Sequence, residues 1–164
     1  MASQIWALEE DGWTEIGRLS EGRAELGAAS GAVGHVIFVG GRTADQPSSS
    51  IAASDLVEGP VIRRISELPT ARSGVSAFGS PDWGVCAVGG STAQEVSTKV
   101  ECVNVDGAVT SLADLAEPRH RGGSAYAGGL AFALLGSPTL DVETSPTVWV
   151  LRPSGEPPQT SREP

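Results

Sequence analysis

The run Val36–Gly41, VIFVGG, decides how the rest of the chain is read. It is apolar at four successive positions and closes on two glycines. The same form returns at Val85–Gly90, VCAVGG, and again, weakened, at Phe132–Ser137, FALLGS. A run apolar at nearly every position suits a strand buried on both faces. A closing glycine pair permits positive φ and the close approach of other backbone.

Two further markers keep step with this run. Leu-x-x-x-Arg occurs as Leu19–Arg23, Leu68–Arg72 and Leu115–Arg119, and a glycine stands seventeen residues after each arginine, at Gly40, Gly89 and Gly136. An acidic or polar residue followed by glycine recurs as Asp11-Gly12, Glu58-Gly59, Asp106-Gly107 and Ser154-Gly155, with the glycines 47, 48 and 48 residues apart. Each unit reads the same way. Small residues after the arginine (AELGAAS, SGVSAFG, RGGSAYA) form a first strand, and a turn leads to the buried second strand. After a polar loop comes a third strand (IAASDLV, VECVNV, TVWVL), then a tight turn and a fourth (WTEI, VIRRI, AVTSL). A four-stranded antiparallel sheet repeated at about 48 residues is the blade of a β-propeller.

The residues resemble the kelch repeat family. The resemblance lies in the double glycine (Gly40-Gly41, Gly89-Gly90, degenerate as Gly136-Ser137), in the arginine that precedes it in LPTARSGVSAF and AEPRHRGGSAY, and in the third strand VECVNVDG. It covers residues 5–151, nearly the whole chain. The outer-strand aromatics of the family are mostly absent: Trp13 fits, but Ile62 and Val109 stand at its later equivalents. The resemblance implies an all-β chain of about three kelch-like blades, a half or partial propeller. The repeats fall near 19–65, 68–112 and 115–151, with N-terminal strands over 5–16 from a split blade. Residues 152–164, polar and proline-rich, read as a disordered tail.

Propellers close with about four to eight blades. IWALEEDG, Ile5–Gly12, aligns with VWVLRPSG, Val148–Gly155, so the N-terminal strands repeat the third and fourth strands of a blade. Two copies could thus close a six-bladed homodimeric ring; the other reading is a fragment or one half of a heteromeric assembly.

Composition bounds the function. The chain has 164 residues, with 11 Lys and Arg against 20 Asp and Glu, a net charge of −9. Such a balance disfavours nucleic acid and anionic membrane surfaces as partners. No apolar run reaches the roughly 18 residues of a membrane helix, and MASQIWALEEDG lacks the regions of a signal peptide. The expected compartment is the cytoplasm, with Cys86 and Cys102 as reduced core thiols; a disulfide needs their Cα atoms within about 7 Å.

No phosphate loop, zinc spacing or hydrolase elbow is present, and neither a metal nor a cofactor is expected. Arginine remains. In kelch propellers that bind peptides, the arginine opening a blade and the one after the double glycine can face the central bowl. The resemblance places Arg23, Arg72, Arg119 and Arg121 at the first position and Arg42 at the second. The repeated three can instead pin blades together, whereas Arg42 and Arg121 break the repeat and so are not demanded by it. His120, between two arginines, and Trp83, in a long turn, complete the candidate set. The reading favours a non-catalytic module that binds a protein, an acidic peptide or a small anion. The alternative is acid–base chemistry on a carboxylate-bearing sugar, as in kelch-like sialic acid mutarotases, with Arg23, Arg72 or Arg119 holding the carboxylate and a Glu or His120 moving the proton.

Overall fold

The computed structural model describes residues 1–31, 34–141, 143–151 and 159–160. The described residues are all-β apart from a single 3₁₀ turn at Pro47–Ser49. A hairpin of β1 (Gln4–Glu9) and β2 (Gly12–Arg18) comes first. Three four-stranded antiparallel sheets follow. The first is β3 (Gly27–Ala29), β4 (His35–Val39), β5 (Ala53–Glu58) and β6 (Val61–Glu67). The second is β7 (Ser76–Ser80), β8 (Gly84–Val88), β9 (Val100–Val103) and β10 (Val109–Ser111). The third is β11 (Gly123–Ala127), β12 (Leu130–Leu134), β13 (Val148–Leu151) and β14 (Gln159–Thr160).

Strands follow chain order within each sheet, and the first strands β3, β7 and β11 lie side by side. The sheets therefore stack face to face, with their first strands along one line. Stacking buries both faces of a middle sheet, which is why β8 is almost wholly buried. Ile37, Val39 and Leu56 pack on Val85, Ala87 and Val103 between the first two sheets. Phe78, Val88 and Val100 pack on Ala131, Ala133 and Trp149 between the second and third. Ile5, Leu19 and Val57 join the hairpin to the first sheet.

The structure corrects the register of the third repeat. Ala24 bridges Arg42, Ser73 bridges Ser91, and His120 bridges Ser137, one residue earlier than the spacing implies. Backbone conformation agrees: φ is 62° and 61° at Gly40 and Gly89 and 54° at Leu135, then 105°, 100° and 91° at Gly41, Gly90 and Gly136. Leu135-Gly136, not Gly136-Ser137, stands for the glycine pair. The reason is steric. A Cβ at Gly40 meets the Arg72 carbonyl of the next sheet at 2.7 Å, and one at Gly89 overlaps the Arg119 carbonyl more deeply. Among the described residues no further sheet lies beside Leu135, which is 57% exposed.

Two other expectations change. Cys86 and Cys102 face each other across β8 and β9 and are joined in a disulfide, not held as two reduced thiols. Reduced cysteines therefore lend no support to a cytoplasmic site. Among the described residues, no helix is long and apolar enough to cross a membrane. Closing a loop of 16 residues by this bond constrains the unfolded chain. A Cys86→Ala/Cys102→Ala variant is expected to lose about 3 kcal/mol of stability, read from urea midpoints under non-reducing conditions. Within the expected disordered tail, Gln159 and Thr160 pair with Val150 and Trp149 as a short fourth strand. The rest of that tail lies outside the described residues.

Candidate binding mouth

Each repeat arginine is buried inside its own blade. Arg72 is fully buried; its Nε donates to the Gly89 carbonyl at 2.7 Å and its Nη1 pairs with Glu101. Arg23 donates to the Ala53 carbonyl at 2.9 Å and pairs with Asp55. Burial pushes the Arg23 guanidinium below its ordinary range, and the Asp55 charge opposes that shift. Asp55 and Glu101 hold equivalent places on the third strand. Trp149 holds that place in the third blade, as the pairings Val39–Ser54, Val88–Val100 and Leu134–Val148 fix it. Arg119 therefore lacks an inner carboxylate. It is 4% exposed, pairs with Glu117 at 2.9 Å, and has no partner for Nε or Nη1 among the described residues.

Two residues beyond each arginine the backbone turns left-handed, with φ of 56° at Glu25, 63° at Gly74 and 54° at Arg121. These residues link the blades on the side of the first strands. The Gly74 N–H donates to the Glu25 carbonyl at 2.8 Å, and the Arg121 N–H donates to the Gly74 carbonyl at 2.7 Å. The ladder puts the side chains of Glu25 and Arg121 at one mouth, although 96 residues separate them. Arg42, bridged by backbone to Ala24 and Ser50, reaches the same place. Arg42 Nη2 and Arg121 Nη2 both donate to Glu25 Oε1, at 3.1 and 3.0 Å. Arg121 is 57% exposed at its side chain, while Arg42 and Glu25 are half-buried.

The structure thus brings Arg42 and Arg121 together and sends Arg23, Arg72 and Arg119 into the blades. His120 lies buried under the mouth, with ring Nε2 2.9 Å from the Thr139 carbonyl. That ring nitrogen donates, so Nδ1 is the bare acceptor, and it has no partner among the described residues. Burial, reinforced by the Arg121 charge, lowers the His120 pKa, while the bond to Thr139 opposes the shift. Trp83 packs edge-on to Tyr126 at 6.1 Å and is partly buried against the core between the second and third sheets. Glu25 went unmarked in the sequence. Its signal was its place, two residues after Arg23, where the third repeat has Arg121. Among the described residues, no three His, Cys, Asp or Glu side chains gather as a metal site.

Stacked four-stranded antiparallel blades linked along their first strands define a partial β-propeller. The solved structure of YjhT is similar, with a TM-score of 0.79 over 98% of this chain and 52% of YjhT at 12% identity. That likeness concerns the fold, and this chain spans about half of YjhT's length. No family model matches the sequence, and no curated protein matches it.

Proposed function

We propose that the chain is a non-catalytic binding module, built on kelch-like blades, that recognises carboxylates of a partner protein, acidic peptide or small anion at the Arg42–Arg121 mouth. One observation carries this reading: two guanidinium groups from different blades converge on a single carboxylate oxygen, that of Glu25. Glu25 marks where an external carboxylate fits. Charge-assisted bonds of this kind contribute about 1.5–3 kcal/mol each. The acid–base alternative is less well served, since its carboxylate-holding arginines are committed inside the blades and His120 is buried.

The test is calorimetric titration with a panel of Asp- and Glu-rich nonapeptides and simple dicarboxylates. Arg42→Ala and Arg121→Ala are each expected to weaken the best binder by about tenfold or more. Binding that both variants leave unchanged sinks the reading.

A further inference from the structure

The hairpin β1–β2 is half a blade. In β1–β2 four residue pairs follow a bulge between Ile5 and Trp6; in β5–β6 four pairs follow a bulge between Ser54 and Asp55. Gln4–Glu9 therefore matches Ala53–Glu58 residue for residue. In every complete blade the inner edge of the third strand carries a second strand: β4, β8 or β12. The same edge of β1 carries none among the described residues. The hairpin also shows Trp6, Leu8 and Trp13 at 52, 66 and 68% exposure, with Leu8 directly opposite Trp13. An unpaired edge beside exposed large apolar side chains is a docking surface.

The occupant follows from the repeat. Trp6 stands where Asp55 and Glu101 stand in the first two blades, and so does Trp149. The hairpins β1–β2 and β13–β14 are thus two candidates for one outer position. Among the described residues they differ in extent: β1 and β2 share six residue pairs, β13 and β14 two. We propose that β1–β2 of one copy docks on β12 of a second copy, displacing its β13–β14, and that the exchange is reciprocal. Each copy then contributes two whole blades and half of each of two mixed ones, six in all. The YjhT comparison fits this size, since one chain covers 52% of it.

The register is fixed by the internal pairs. The match of Leu134–Val148 to Val88–Val100 sets β12 residue Phe132 opposite the partner's Ala7, just as Cys86 sits opposite Cys102. Closure also brings the partner's Arg23 carbonyl toward Leu135, as Arg72 and Arg119 approach Gly40 and Gly89. The Leu135 side chain makes this junction looser than the internal ones, so Leu135→Gly is expected to move the monomer–dimer midpoint to lower concentration.

The experiment has two readouts on the full chain. Light scattering of the unmodified protein is expected to give twice the chain mass. An Ala7→Cys/Phe132→Cys variant, oxidised, is expected to run as a covalent dimer on non-reducing gels, while neither single variant does. A monomer at high micromolar concentration overturns the exchange, and so does a dimer in which the double variant forms no intermolecular bond. This surface is separate from the arginine mouth, so the two proposals fail separately: a monomer that binds acidic peptide loses only the exchange, and a crosslinked dimer that ignores it loses only the mouth.

Discussion

Replacing Arg72 with Ala is expected to remove about 3–5 kcal/mol, a large part of the ~5–15 kcal/mol available to a domain of this kind. Arg72 is the largest fully buried side chain among the described residues. Its loss strands the Glu101 carboxylate, 4% exposed, without a cation and leaves the Gly89 carbonyl without the Nε donor. An uncompensated buried charge, not the loss of the pair itself, makes such a change severe. Arg119 is the internal control. It occupies the same place in the third blade, but Trp149 stands at the strand position of Glu101, its one carboxylate partner is the exposed Glu117, and two of its nitrogens are without partners among the described residues. Arg119→Ala is expected to cost less than half as much. Urea midpoints for the two variants decide the matter; equal losses would mean that the arginine–carboxylate pair is not what pins the blade.

Gly89→Ala carries the second large effect. Gly89 has a φ of 61°, and a Cβ there overlaps the Arg119 carbonyl of the next blade, which is backbone and cannot swing aside. Left-handed backbone alone costs a non-glycine residue about 1–2 kcal/mol, and forced overlap in a packed interior adds about 1–3 kcal/mol. Gly59→Ala separates the two contributions, because its φ of 54° is similar and a Cβ there meets nothing within 4 Å. Gly59→Ala is expected to lose only the first part. Thermal melts of both variants provide the measurement, and equal shifts would mean that blade spacing tolerates a methyl group at this junction.

The glycine rule also explains where the sequence misled. Residue spacing alone assigned Gly136-Ser137 to the pair because the third repeat is one residue shorter between its arginine and its glycines. Only the backbone angles reveal that Leu135 has taken the first glycine's place. The blades themselves were legible, since apolar runs, turns and the period all come from side-chain pattern, but only β8 of the middle sheet is buried on both faces, while β4 and β12 alternate. The arginines were legible as a set but not in direction. Their partners were nevertheless visible, since Asp55 and Glu101 are charged residues inside third strands rich in apolar residues, where a buried carboxylate demands a cation. The disulfide was not legible, because strand register decides whether two cysteines face each other, and register here depends on loop lengths. At the mouth, Arg42 and Arg121 were found because they depart from the repeat. Glu25 was missed because a lone glutamate in a small-residue run has no pattern of its own.

The mouth makes one demand that a structural ion pair does not. If Glu25 occupies the place of an external carboxylate, then Glu25→Gln removes a competitor and leaves both arginines in position. Calorimetric titration of the Glu25→Gln variant with the tightest-binding acidic peptide tests this most directly. Binding severalfold tighter than that of the unmodified chain, and lost again on adding Arg121→Ala, is the predicted result. Binding that weakens with Glu25→Gln would contradict the account, for it would make Glu25 part of what holds the mouth together instead of the group a ligand displaces.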